Sequence, residues 1–413
     1  MLNLPDMDFV LSVFSKEVND SDIAVGNVND VKRLLEFAQM QGCSCLVGNY
    51  LLNNTDLPDD YKSLLKEKVE TGKYTCFAKY IFLINLLKKF YESGINAVVL
   101  KGYSVARLYK NPFLRISGDV DLLVDPNSEK AAEDALKKYG FKIVHKRKPH
   151  EHHSAFTHPV YGMLELHIKL FEDEISNVWF ADSSSPLYVE IKTKKVTLAK
   201  QNFMVLDDES QLLHIFFHLA KHFVENGISV RMMFDFALSC KEFKDTVDFE
   251  KVRSIIEKSG FINLYNAIFS FLLKYCGFKE NDMPPFIKTE DSLVDALYAD
   301  LVYGGWLGMF NSTSGQVLNN FTTQKANKIK AGKDELFRNR KGFVYYLGAI
   351  FPSPKKIIKM YSYSKKYPLL FPVALINRYL DILKRKINKN LKDRTNIRDK
   401  ARFELLKKFE LID

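Results

Sequence analysis

The chain of 413 residues is 46% hydrophobic and 27% charged, enough for at least one full core and, by length, two or three domains. No run of eighteen uncharged apolar residues occurs, and the N-terminus M-L-N-L-P-D-M-D-F-V lacks the basic-then-apolar order of a signal peptide, so neither a transmembrane segment nor a secretory leader is expected. The net charge of +10 is uneven: residues 324–413 hold 24 Lys/Arg against 8 Asp/Glu, whereas residues 1–323 hold 36 against 42. That basic C-terminal part suits either an anionic partner (nucleic acid, a phospholipid surface, a large phosphorylated substrate) or a solvated helical face. Cys43, Cys45, Cys76, Cys240 and Cys276 have neither zinc-site spacing nor the density of a secreted scaffold, which predicts reduced thiols in a cytoplasmic protein.

Residues 1–93 read as helical. V-K-R-L-L-E-F-A-Q-M (31–40) has helical apolar spacing behind Asn29 and Asp30 as caps, and a longer amphipathic segment runs from Tyr74 to Tyr91 and ends at Gly94. Then I-N-A-V-V-L (95–100) predicts a short buried strand, closed by Lys101-Gly102, with a helix over 103–110. D-V-D-L-L-V-D (119–125) predicts a second strand, 126–140 a helix ending at Gly140, and 141–145 a third strand. A His-rich connection (150–158) is read as a loop; His150, His152, His153 and His158 could together bind a transition metal, but loop placement and irregular spacing favour histidines facing solvent or an acceptor. Y-G-M-L-E-L-H-I-K-L (161–170) alternates as a strand, and 187–198 is a candidate hairpin. This mixture indicates an α/β (α+β) sheet domain over 94–206, followed by a helical domain (207–310) and a basic helical region (311–413). The helical domain opens with 207–227 and continues near 249–258 and 261–276; N-S-T-S-G (311–315) is the best candidate for a flexible loop. Prolines 352, 354, 368 and 372 break the late aromatic and lysine-rich stretch, which favours packing over a continuous membrane-surface helix.

The chemistry concentrates at R-I-S-G-D-V-D-L-L-V. Strand alternation sends Asp119 and Asp121 to one face and Val120 and Leu122 to the other. Two neighbouring carboxylates repel unless a cation lies between them, and hard oxygen donors select Mg²⁺ or Mn²⁺. In L-E-L-H-I, Glu165 and His167 share a face opposite to Leu164, Leu166 and Ile168, so Glu165 is the candidate third carboxylate and His167 a candidate cleft residue. Lys101, Gly102 and Ser104 lie between a strand and a helix, where backbone N–H groups can approach a phosphate. Arg115 is a candidate partner for a phosphate tail. His214, His218 and His222 share one helix face; packing or cleft lining, with His218 and His222 near phosphates, is preferred to zinc. Arg231 and Asp235, at i and i+4, are expected to form a surface ion pair.

This order of motifs resembles the DNA-polymerase-β-like nucleotidyltransferase superfamily. More narrowly, V-L-K-G-Y-S, R-I-S-G-D-V-D-L-L-V and L-E-L-H, with H-L-A-K-H, V-R-M-M-F-D-F-A and F-P-S-P (351–354), resemble the bacterial uncharacterised nucleotidyltransferase family (NTP_transf_5) over roughly residues 30–385. The resemblance implies that Asp119, Asp121 and Glu165 hold the catalytic metals and that Glu165 helps deprotonate the attacking hydroxyl. It implies that Gly102 and Ser104 cradle phosphate, although Tyr103 separates a Gly-Ser pair that is adjacent in the superfamily. It further implies in-line attack of an acceptor oxygen on the α-phosphorus of a nucleoside triphosphate, with release of pyrophosphate. The acceptor could be a small molecule, saccharide, protein or RNA. The alternatives are a toxin-like transferase acting on tRNA and a non-catalytic nucleotide- or membrane-binding module that keeps the fold.

Overall fold

A computed structural model describes residues 4–19, 30–172, 191–225, 227–304, 402 and 404–411. The chain divides into one unit of residues 1–323 and 405–413 and a second of residues 324–404. The second unit lies almost wholly outside the described residues, as do the 311–315 loop, the late aromatic-basic stretch and residues 187–190.

Four helices come first: α1 (Leu4–Asn19), α2 (Val31–Met40), α3 (Ser44–Asn54) and α4 (Asp59–Glu92). The Asp30 carboxylate accepts from the Arg33 N–H and so caps α2. With 34 residues, α4 is about 51 Å long. Its buried stripe (Leu65, Val69, Cys76, Tyr80, Leu83, Leu86, Phe90) recurs at three-, four- and seven-residue steps. Gly94, at φ +73°, ends the helix and turns the chain into the sheet.

The seven-stranded mixed sheet comprises β1 (Ala97–Val99), β2 (Asp119–Val124), β3 (Lys142–His145), β4 (His153–His158), β5 (Gly162–His167), β6 (Thr193–Leu198) and β7 (Gln201–Leu206), in the order β3-β4-β5-β2-β1-β7-β6. Short α5 (Tyr103–Ala106) links β1 to β2, and α6 (Glu129–Lys138) links β2 to β3. One sheet face is apolar. Val99, Val120, Leu122, Val124, Phe156, Leu164, Leu166, Phe203 and Val205 pack there against Tyr80, Leu83, Leu86 and Phe90 of α4 and Ala132 and Leu136 of α6. Each fully buried Leu or Phe contributes about 1.5–3 kcal/mol, so this layer outweighs any single polar contact in the sheet.

Two expectations change. Residues 153–158 form β4, paired antiparallel with β5, rather than a loop. The hairpin lies over 193–206, beyond the expected 187–198; its turn uses Ala199 and Lys200, both at positive φ, without the glycine or asparagine that usually signals such a turn.

The helices α7 (Asp208–Glu225), α8 (Val230–Glu242), α9 (Phe249–Lys258), α10 (Ile262–Cys276) and α11 (Asp291–Gly304) follow. They share a core with the N-terminal helices. Phe14 of α1 stacks on Phe234 of α8 at 4.6 Å. Buried Gln41, after α2, donates to the Leu301 carbonyl and accepts from the Val230 N–H. Among the described residues no helix is long and apolar enough to cross a membrane.

Helices α3 and α4 approach closely at Gly48, where an added Cβ would lie 2.8 Å from Val69 Cγ2 and 3.1 Å from Leu65 Cδ1. In a helix, Gly→Ala gains roughly 1 kcal/mol of propensity, whereas overpacking costs about 1–3 kcal/mol, and β-branched Val69 has few rotamers with which to yield. Gly48→Ala is therefore expected to lower stability by up to about 2 kcal/mol; a urea midpoint equal to or above wild type would contradict this packing.

Candidate active site

The face of the sheet opposite the apolar layer carries the charged residues. Parallel pairing of β2 with β5 sets Asp121 opposite Glu165, and Asp119 precedes by two residues on the same face. Antiparallel pairing of β4 with β5 sets His153 opposite His167. Lys101 and Gly102 follow β1, and α7 brings His218, Lys221 and His222 to the same space. A cavity of about 280 Å³, near the lower bound for small-ligand sites, is lined by all of these except His167, and also by Arg115, Ser117 and His152.

The charges are arranged in opposition. Lys101 Nζ lies 3.0 Å from Asp121 Oδ1 and 3.1 Å from His218 Nε2. His167 Nε2 lies 3.1 Å from the same Asp121 oxygen and 3.3 Å from Glu165 Oε2. Burial alone would raise the Asp121 carboxyl, but Lys101 and His167 hold it well below the usual carboxylate range. Burial likewise opposes ionisation of Glu165, and the His167 hydrogen bond more than offsets it. Burial works against the charged forms of Lys101 and His167, yet the facing carboxylates raise both pKa values. Asp119 differs. Its carboxyl is raised, first by the charge of Asp121 and then by burial, and it has no hydrogen bond or ion pair among the described residues. The charges of Lys101 and of Arg231, which also borders the cavity, offset this only in part.

Gly102 adopts φ +52°, which calls for glycine, and a Cβ there would lie 3.3 Å from Ser117 Oγ, tight enough that the hydroxyl would have to shift. Ser104 is buried, its carbonyl accepts from Gln211 Nε2, and it does not line the cavity. The hydroxyl that faces Gly102 is Ser117, which sequence reasoning missed because thirteen residues and a turn separate it from Ser104. At four residues, α5 is also too short to supply the helix-end field expected after Gly102.

Arg115 borders the cavity but is engaged elsewhere: its Nε and Nη2 donate to Asp235 Oδ1 and Oδ2 at 2.8 and 2.6 Å, with both side chains buried. Tyr109 donates to the same carboxylate at 2.8 Å. The expected Arg231–Asp235 surface pair is therefore corrected; Arg231 instead donates to the Ile116 carbonyl at 2.7 Å. Along α7, His214 is buried against Phe171, whereas His218 and His222 border the cavity and contact each other at 3.2 Å.

His152 and His153, read from sequence as part of a loop, lie beside His167. His152 Nε2 and His153 Nδ1 are 3.0 Å apart. Glu172 and Lys221 join them, with Lys221 Nζ 2.6 Å from Glu172 Oε1. The run H-E-H-H was the available signal, and the absence of a β-branched run at 153–158 hid the strand that aims it inward.

Removing one member of a buried ion pair leaves the other charge uncompensated, at a cost of about 3–5 kcal/mol, against about 0–1 for an exposed pair. Asp235→Ala is expected to destabilise by the larger amount in chemical denaturation; a loss under about 1 kcal/mol would return Asp235 to the surface. Burial lowers the pKa of His214 well below its ordinary value and that of His152 to about 4. Both favour a neutral ring in the folded state, so stability is complete above the unfolded value near 6.5 and declines as pH falls below it. The decline should approach roughly 1.4 kcal/mol per pH unit per histidine between pH 6 and 4. A shallower slope in His214→Phe, by denaturation across that range, checks the assignment; an unchanged slope contradicts it.

The family model described as Uncharacterised nucleotidyltransferase matches residues 27–273. The match includes every cavity residue named above and stops short of F-P-S-P, so the resemblance drawn over 274–385 has no counterpart in it. No match was found among curated proteins. Similar solved structures include the lincosamide antibiotic adenylyltransferase LnuA with lincomycin bound, at 17% identity over 38% of this chain and 93% of that one, with a TM-score of 0.28. The antibiotic-resistance factor ANT(2'')-Ia is 13% identical over 46% of this chain and 96% of its own, with a TM-score of 0.32. An antigenic nucleotidyltransferase-like protein from Paracoccidioides brasiliensis is 16% identical over 51% and 94%, with a TM-score of 0.30. Scores this low give no guide to what this chain acts on. The family match spans well over half of the 413 residues, and by it the chain belongs to the uncharacterised nucleotidyltransferase family and is a nucleotidyltransferase.

Proposed function

We propose that the protein transfers a nucleoside monophosphate from a nucleoside triphosphate to a hydroxyl-bearing acceptor, in the cavity between β2, β5 and α7. The observation that carries this reading is Asp119: a carboxylate with no ion pair among the described residues, beside Asp121 and Glu165, in a cavity that Lys101, Gly102 and Arg231 also line. Three carboxylates facing one cavity fit a hard divalent ion, Mg²⁺ or Mn²⁺. Asp119, Asp121 and Glu165 would hold it, and when bound it would neutralise charge on the phosphate oxygens.

The remaining work falls to the chain itself. Lys101 and Lys221 attract the triphosphate, and Gly102, lacking a Cβ, lets its backbone come close to a phosphate oxygen. Ser117 offers a hydroxyl across the turn. Glu165, held ionised, accepts the proton of the acceptor hydroxyl. The acceptor oxygen then bonds to the α-phosphorus as the bond from that phosphorus to the β-phosphate bridging oxygen breaks, and pyrophosphate leaves. His218 and His222, with pKa values lowered chiefly by burial, act as neutral hydrogen-bonding groups. The five cysteines are buried free thiols, which supports a reducing, cytoplasmic setting.

Calorimetric titration of each nucleoside triphosphate, with Mg²⁺ or Mn²⁺, into wild type and the double variant Asp119→Asn, Asp121→Asn tests the reading. Binding by wild type should vanish in the variant while its thermal unfolding remains cooperative. Equal binding by both would refute the assignment, and binding by neither would favour the non-catalytic module.

A further inference from the structure

Beside the carboxylates, His152, His153 and His167 each offer a ring nitrogen within 4.8 Å of the other two. We propose that these three imidazoles form a second metal site, distinct in chemistry from the hard-oxygen site, for a borderline divalent transition-metal ion, with Zn²⁺ the best fit. The proposal does not rest on the transfer reaction.

The far nitrogen of each ring already faces a carboxylate. His152 Nδ1 lies 3.2 Å from Glu172 Oε1, a charge contact not aligned as a hydrogen bond. His153 Nε2 lies 3.6 Å from Glu165 Oε1, and His167 Nε2 meets Asp121 and Glu165 at 3.1 and 3.3 Å. Of these only the His167 contact with Asp121 is a hydrogen bond; it favours the proton on Nε2 and leaves the Nδ1 lone pair for an ion, as carboxylates commonly do for metal-bound histidines. His152 Nε2 and His153 Nδ1 lie 3.0 Å apart, at hydrogen-bond distance, so one of them carries a proton that an ion would displace. His167 is 2% exposed, and its Nδ1 is buried without a hydrogen-bond partner. An unpaired buried ring nitrogen costs about 1–3 kcal/mol, which an ion would recover.

The ligand class follows from the donors. Imidazole prefers zinc and its neighbours to magnesium, and a tetrahedral Zn–N distance of about 2.0–2.1 Å requires nitrogens roughly 3.3 Å apart. The pair His152–His153 is already near that value, and His167, within 4.8 Å of both, would need to close by at most about 1.5 Å. Three ligands leave one position for water. His152 and His153 border the cavity, which gives an ion a route in. Bound there, the ion would tie the start of β4 to the end of β5 and hold His167 against Asp121 and Glu165.

The test uses the full chain, with Co²⁺ as a visible-absorbing probe and Zn²⁺ as competitor, in excess Mg²⁺. One equivalent of Co²⁺ should bind with tetrahedral absorption and be displaced by Zn²⁺. His153→Ala, whose side chain is only partly buried and so is the variant most apt to fold, should weaken binding by about tenfold or more, and Glu172→Gln by about tenfold. Asp119→Asn and His150→Ala, the latter an exposed neighbour outside the triad, should leave affinity within about twofold. Absence of a Co²⁺ site in wild type, or affinity unchanged in His153→Ala, would overturn the proposal and leave a proton as the shared cation. Because Asp119→Asn, Asp121→Asn tests nucleotide binding separately, failure of either assignment is recognised without the other.

Discussion

The parallel register between β2 and β5 governs the polar face of this molecule. With Asp121 opposite Glu165, Asp119, Asp121 and Glu165 face the cavity, and the alternate residues Val120, Leu122, Leu164 and Leu166 enter the apolar layer under α4 and α6. A slip of one residue on either strand would exchange the faces, burying carboxylates among Phe156, Leu164 and Tyr80. The apolar half of the alternation thus keeps the polar half aligned. Cost and benefit fall in different places: packing on one face stabilises a like-charge cluster on the other, which Lys101 and His167 relieve only in part.

Around that axis the helices act as a frame. Gln41 joins the N-terminal helices to α8 and α11 through buried backbone groups, and Gly42 leaves room for Arg231, whose guanidinium a Cβ would approach to 3.2 Å. Arg115, Asp235 and Tyr109 form a buried knot between the chain that enters β2 and the face of α8. A residue at the cavity edge is in this way fixed by helices far along the sequence, and its charge is spent on structure.

What could be read from sequence followed physical locality. Asp119, Asp121, Glu165 and His167 were legible because strand periodicity is written in adjacent residues. Lys101 and Gly102 were legible because a glycine between a strand and a helix has few uses. Asp235 was not, since its partner lies 120 residues away and a local i, i+4 arginine offered a simpler pairing. Strand β7 was obscured by a turn of Ala199 and Lys200, which carries no turn chemistry. Ser117 and the His152–His153 pair reach the cavity only through tertiary closure, which no spacing rule records.

The parallel pairing of β1 with β7, through Val98 with Met204 and Val99 with Val205, also has a bearing on how the chain is made. About a hundred residues separate the two strands, so at roughly 5–20 residues per second the ribosome releases β1 some 5–20 s before its neighbour exists. During that interval β1 can pair only with β2, and its other edge stays open. Lys101 lies two residues beyond that strand. The order of synthesis therefore delivers Lys101 and the three carboxylates before the sheet beneath them is complete, and the α7 side of the cavity only after it.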